Sequence, residues 1–249
     1  MGKTNMHASS KKIALVTGAN KGIGFEIARQ ISRTGVTVLL GARNMVAGEK
    51  AAAMLTGEGL TAHFISLDVA DRDSISAAAT AITDDFGHLD ILVNNAGIND
   101  PADGRPSTAS LDAIERVFHT NFFGAVAVTQ ALLPLVKKSS AGRIVNVSSG
   151  LGSIALNADP NWDYAAVKLI GYNGSKAALN MFTVLLAAEL KDTGIKVNAV
   201  NPGYTATDLN GNSGHQSIEE GAAETVRMAQ IGNDGPTGAF TSTEGVEPW

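Results

Sequence analysis

Residues 12–24 read Lys12-Ile13-Ala14-Leu15-Val16-Thr17-Gly18-Ala19-Asn20-Lys21-Gly22-Ile23-Gly24, and this stretch decides the fold. Its first half, KIALVT, is a short apolar run of the kind expected for a strand covered on both faces. Its second half holds three glycines and opens directly into a helical pattern over about residues 22–34. Such a turn lets main chain approach a pyrophosphate closely, and the helix N-terminus then favours the negative charge. The spacing is TGxxxGxG rather than GxGxxG, and a glycine-rich turn alone is a weak signal. Its place after the first strand and before the first helix gives it meaning. Gly18, Asn20, Lys21, Gly22, Ile23 and Gly24 are therefore candidate dinucleotide-binding residues.

Outward from this turn, strand and helix patterns alternate to the end of the chain. Further strands are expected at 36–41 (VTVLLG), 61–67 (TAHFISL), 89–93 (LDILV), 143–148 (RIVNVS), 195–200 (IKVNAV) and 238–241, seven in all. Helical periodicity falls at about 44–56, 71–86, 110–138, 172–191 and 217–230. Asp71 and Ser107 suit N-caps, Gly35, Gly87 and Gly194 suit helix ends, and Met181 and Phe182 fall at core spacing. Strict alternation predicts βαβ units, hence an α/β fold of the Rossmann type: a doubly wound parallel sheet with helices on both faces. No linker or repeat divides the chain, so residues 11–249 read as a single domain behind a flexible arm at 1–10.

Composition narrows the function. The chain has 249 residues, 44% hydrophobic and 17% charged, which suits a soluble globule with a substantial core. Its net charge of -5 argues against life on nucleic-acid phosphates. The absence of cysteine excludes disulfides, a thiol nucleophile and cysteine-ligated metals. The five histidines are scattered without paired spacing, so no metal site is expected. No apolar run approaches the length of a membrane span and the first residues lack a signal-peptide core, so a cytoplasmic location is the expectation.

The end of the second strand discriminates between coenzymes. An acid there accepts the ribose 2′-hydroxyl of NAD, whereas a nearby arginine receives the 2′-phosphate of NADP. This chain carries Gly41-Ala42-Arg43 at that point, with Lys21 in the facing glycine turn. Two cations and no acid predict NADP (NADPH).

Several further motifs, in order, make the chain resemble the short-chain dehydrogenase/reductase family over about residues 12–249. They are TGANKGIG at 17–24, LDV at 67–69, NNAG at 94–97, Asn121 in a long helix, Ser148-Ser149, Tyr172-Asn173-Gly174-Ser175-Lys176, and Pro202-Gly203 followed by Thr207. The NKGIG turn, the basic pair and the ending GPTGAFTSTEGVEPW look most like the carbonyl-reductase branch. The resemblance implies NADPH-linked reduction of a ketone or aldehyde. It places Asp68 and Val69 at the adenine, and Asn95, Ala96 and Gly97 behind the cofactor. Pro202, Gly203, Thr205 and Thr207 fall by the nicotinamide end, and Asn121 matches the residue that holds an ordered water in a proton relay.

Carbonyl reduction needs a hydride for carbon and a proton for oxygen; the cofactor brings the first, and the protein must supply an acid. A phenol titrates near 10, and bringing it to about 7 takes roughly 4 kcal/mol of differential stabilisation. Tyr172 and Lys176, at i and i+4, place a cation beside a phenol on one helix face and are the predicted acid and its tuner, with Lys176 also holding the ribose. Tyr164 and Lys168 share that spacing, but in the family that the chain resembles the tyrosine opens the helix preceding the sixth strand, and only Tyr172 does that here. By register from Gly142 the family's serine falls on Ser149, so the resemblance implies that Ser149 binds the substrate carbonyl and that Ser148 is structural.

Ser149 and Tyr172 stand 23 positions apart, longer than is usual in the family, so residues 151–171 form an extra loop. That loop either lines the substrate pocket with Trp162 or covers a helix used in a homo-oligomer. Tyr204 is a second candidate aromatic wall for a small-molecule carbonyl substrate. Two rivals stand beside a reductase. One is an NAD(P)-dependent alcohol dehydrogenase working oxidatively; the other is a non-catalytic nucleotide sensor, which would have no need of the Ser-Tyr-Lys set.

Overall fold

Strand side chains in the computed structural model, which describes residues 11–249, alternate between two cores. Ile13 and Leu15 of the first strand face one, with Leu39, Leu92, Ile144 and Val197. Ala14 and Val16 face the other, with Val38, Leu40, Val93, Val145 and Val200. Period-two alternation within uniformly apolar runs is what a sheet covered on both sides requires. The strands are β1 (Ile13–Thr17), β2 (Thr37–Ala42), β3 (Ala62–Ser66), β4 (Ile91–Asn94), β5 (Arg143–Val147), β6 (Lys196–Val200), β7 (Phe240–Ser242) and β8 (Gly245–Val246). Their order is β3-β2-β1-β4-β5-β6-β7-β8, parallel throughout except for the antiparallel β7–β8 pair.

This is the predicted Rossmann-type sheet, with one strand more than expected. Strand order reverses between β1 and β4, and the crevice beyond their carboxyl ends is where such sheets take a ligand. The loops after β1, β4, β5 and β6 carry the glycine turn, Asn95–Gly97, Ser148-Ser149 and Pro202-Gly203, so the fold gathers these motifs at one end of the sheet.

The helices are α1 (Gly22–Ser32), α2 (Met45–Gly57), α3 (Arg72–Phe86), α4 (Leu111–Phe118), α5 (Ala125–Val136), α6 (Ile154–Ala158), α7 (Ile170–Glu189) and α8 (Ile218–Ala229). Asp71 caps α3 through Asp73 N, as expected, and Gly87 closes it in the left-handed conformation. Ser107 does not cap a helix, because α4 starts only after Ser110. Met181 is exposed on α7 while Phe182 packs against the core, so helical spacing placed one of that pair correctly.

The helix expected over 110–138 runs unbroken from Leu111 to Val136 but is not α-helical throughout. Between α4 and α5, residues His119–Gly124 form a π-helical turn that contains Asn121. Such wide turns insert one residue into the helical repeat and recur at functional sites.

Candidate active site

The glycine turn is tied down from β4. Asn95 Nδ2 donates to the carbonyls of Thr17 (2.8 Å) and Gly18 (3.3 Å), while the Thr17 hydroxyl accepts from Asn95 N and Ala96 N, both at 3.0 Å. Gly18 adopts φ +64°, and a Cβ on Gly24 would collide with the Asn95 amide and the Gly18 carbonyl. Glycine is thus required where the turn folds onto the β4 loop.

Beside this turn lies a cavity of about 770 Å³. Its walls include Gly18, Asn20, Lys21, Gly22, Ile23, Gly24, Arg43, Asp68, Val69, Asn95, Ala96, Gly97 and Thr207. Pro202, Gly203 and Thr205 do not line it; Thr205 is buried and its hydroxyl donates to the Pro202 carbonyl at 3.1 Å. Ile98 to Pro101 and Asp208 do line it, though no motif marked them. The Lys21 ammonium is engaged at 2.6 Å by Asp208, which lies in the 204–218 loop, whereas Arg43 lies exposed at the end of β2.

Lys176 is buried on α7 and donates to the Val147 carbonyl at 2.8 Å, which points its ammonium back at the end of β5. Its Nζ sits 5.7 Å from the centre of the Tyr172 ring. Burial draws the lysine down to about 8 and pushes the Tyr172 phenol up to about 12; a hydrogen bond with Ser149 offsets the latter only in part. The cation was expected to lower the phenol; instead burial raises it, and the opposing contribution comes from Ser149.

Asn121 is almost wholly enclosed. Its Oδ1 accepts from Ile98 N at 2.8 Å, and its Nδ2 donates to the Ile98 carbonyl (3.0 Å) and the Ser175 hydroxyl (3.1 Å). The π turn therefore presents an amide that clasps the loop after β4. Asn121 Oδ1 and Lys176 Nζ meet at Gly97, within 3.6 Å of where a Cβ would stand.

Ser148 turns inward and donates to Asn180 Oδ1 at 2.6 Å, leaving Ser149 as the serine beside Tyr172. Tyr164 and Lys168 lie outside any helix, and Lys168 donates to the Asn157 carbonyl at 3.2 Å. Tyr164 instead belongs to an aromatic row that runs Trp162–Tyr164–Tyr204–His215, with ring centres 5.5 to 5.9 Å apart. Trp162 packs over Gly150, the residue following Ser149, so the extra loop sits beside the site rather than away from it.

Residues 12–218 match the short chain dehydrogenase family. The chain belongs to that family. Among relatives of this short-chain dehydrogenase, "Short-chain dehydrogenase anuI" of Penicillium roqueforti is 40% identical, covering 92% of each chain. A carbonyl reductase (NADPH) of Mus musculus is 34% identical over 97% of this chain and 100% of its own. Among solved structures, an NADPH-bound carbonyl reductase from chicken fatty liver superposes with a TM-score of 0.84 at 26% identity, covering 96% of this chain and 99% of that one. As a short-chain dehydrogenase/reductase, the protein is an oxidoreductase acting on carbonyl or alcohol groups of small molecules. Among its described residues, no helix is long and apolar enough to cross a membrane, and no cluster of three or more His, Asp or Glu could hold a metal.

Proposed function

We propose that this short-chain dehydrogenase is an NADPH-dependent carbonyl reductase, converting a ketone or aldehyde to an alcohol with Tyr172 as proton donor. One observation supports this above the rest: a phenol beside the Ser149 hydroxyl, with an ammonium 5.7 Å from its ring, next to a nucleotide-sized cavity. The names of the NADPH-linked relatives support the coenzyme.

The donor set fits a phosphorylated dinucleotide. Main chain at Gly18–Gly24 suits the pyrophosphate, Asp68 and Val69 the adenine, and the wall at Ala42-Arg43 has a cation where an acid would repel a 2′-phosphate. Asn95, Ala96 and Gly97 back the cavity, and Thr207 closes its far end. Bound there, the reduced dinucleotide supplies the hydride. At neutral pH the Tyr172 phenol, held near 12, keeps its proton, which is the form a general acid needs before the step. As charge grows on the substrate oxygen, the Ser149 hydroxyl donates a hydrogen bond and Tyr172 gives up its proton. Lys176, anchored through the Val147 carbonyl, then stabilises the phenolate.

The test is a panel of ketones, aldehydes and quinones with NADPH, followed by absorbance, on the parent and on Tyr172→Phe. The variant is expected to lose about 10²- to 10⁴-fold in turnover while binding NADPH as before. Reduction at the parent's rate would remove Tyr172 from the role.

One contact favours a second reading, an alcohol dehydrogenase that works oxidatively with NAD. Lys21, one of the two cations argued to receive the 2′-phosphate, already has a carboxylate partner in Asp208. Titration with both coenzymes separates the two: NAD binding at least as tight as NADP, with no loss of NADPH affinity in Arg43→Ala, supports the dehydrogenase.

A further inference from the structure

We propose that Asp103 is a positioning residue for Tyr172, a side chain from a distant loop that sets where the acid's backbone stands; this rests on Tyr172 being the acid.

An α-helix leaves its first N–H groups without intrahelical partners. At the start of α7 the N-cap residue is Leu169, whose side chain offers no acceptor. The missing acceptors come from more than sixty residues upstream. Ile170 N donates to the Gly104 carbonyl at 2.9 Å, Gly171 N to Asp103 Oδ1 at 2.9 Å, and Tyr172 N to Asp103 Oδ2 at 2.8 Å. The first three amides of the catalytic helix are thus satisfied by two consecutive residues of one loop. A fourth bond, Gly104 N to Asp103 Oδ1 at 2.8 Å, holds the carboxylate in this pose. A Cβ on Gly171 would stand 2.9 Å from Asp103 Oδ2 and 3.1 Å from its Cγ, so glycine admits the carboxylate to that distance.

The loop that carries Asp103 is itself fixed at several points. Asn121 clasps Ile98, Arg116 Nε donates to Asp100 Oδ2 at 2.9 Å, and Ser110 N donates to the Ala102 carbonyl at 3.2 Å. Ile98 to Pro101, earlier in the same loop, line the nucleotide cavity. One short segment therefore joins the cavity wall to the backbone of the proton donor.

An ordinary cap stabilises a helix and nothing more. This one bonds the N–H of Tyr172 itself and brings a negative charge to the helix turn bearing the phenol. Displacement of a reacting group by about 1 Å can cost about 10²-fold in rate. A carboxylate at this end also favours the neutral phenol, whereas uncovered N–H groups favour the phenolate.

Asp103→Ala and Asp103→Asn test this in the full chain. Biosynthetic 3-fluorotyrosine gives three ¹⁹F resonances, since the chain has three tyrosines, and Tyr172→Phe assigns the one that matters. In Asp103→Ala the Tyr172 resonance is expected to move or broaden, and its titration to fall by about half a pH unit. Turnover should drop about tenfold or more with NADPH affinity within about twofold, and Asp103→Asn, which retains one acceptor, should recover part of the rate. If the alanine variant does not fold, the asparagine variant decides by the same readouts. An unmoved resonance and titration, whatever the loss of thermal stability, overturns the proposal and leaves Asp103 a helix cap. Because the resonance needs no substrate, the two failures are distinguishable: a parent that reduces no carbonyl defeats the reading of Tyr172 as the acid, whereas an unmoved resonance in the variant of an active parent defeats this proposal alone.

Discussion

Lys176 makes the sharpest residue-scale prediction because it is buried and its ammonium costs free energy to hold. Its ordinary value is 10.5 and burial draws it to about 8 in the folded chain. Between those two values the unfolded chain binds a proton that the folded chain releases, so stability rises with pH across that window, by about 3 kcal/mol. Below about pH 8 the cost is present in full. Comparing the parent with Lys176→Met by urea unfolding at pH 7.5 and pH 9 isolates the effect, since Tyr172 has an ordinary value of 10 and a higher one in the folded chain, both above that range. The stability gap between the two proteins should narrow toward alkaline pH; a constant gap would mean the lysine is not desolvated. Asp208 carries a second prediction at this scale. Exposed ion pairs are worth about 0–1 kcal/mol, so Asp208→Ala should free Lys21 and tighten NADPH binding by about two- to fivefold, with NADH unchanged. Equal effects on both coenzymes in a fluorescence titration would take Lys21 away from the 2′-phosphate.

At the scale of elements, the π turn converts a helix into a clamp. Asn121 spends its amide on Ile98 and Ser175, joining the α4–α5 helices to the loop after β4 and to α7. Asn121→Ala should cost about 1–3 kcal/mol in unfolding free energy, for the buried main-chain groups it leaves unpaired, and should weaken NADPH binding because Ile98 lines the cavity. A residue serving only to relay protons would lower turnover and spare both quantities. These elements also show where sequence reading stops. β1, β2, β5 and β6 were legible because an apolar run bounded by turn residues has few other uses. The π turn was not, since one extra residue in a helical repeat leaves hydrophobic periodicity nearly intact. β8 spans two exposed residues and offers no pattern at all. The role of Asp103 was invisible for a different reason: its partners lie 68 and 69 positions away, and no local rule pairs a loop aspartate with a helix that has yet to begin.

For the whole molecule, the sheet order accounts for why one linear string of motifs becomes one site. Parallel strands all end at the same edge, so the loops after β1, β4, β5 and β6 meet there although the chain spends nearly two hundred residues visiting them. Motifs far apart in the sequence therefore share one space, and Gly18, Lys21, Arg43, Asp68 and Asn95 lie around one cavity. Thr205 stays with Pro202 in space as in sequence: its side chain turns into the interior and donates to the Pro202 carbonyl, and neither it nor Pro202-Gly203 lines that cavity.

The bridge between Lys21 and Asp208 joins two residues that line the same cavity, and the chain has no thiol of its own. Cysteines installed at both positions would be the protein's sole reactive sulfurs, and a short cleavable bis-maleimide could stitch them together. The stitched protein should refuse dinucleotide in a filter-binding assay and accept it again once the tether is cut, which would make an enzyme that is armed by a reagent rather than by a mutation.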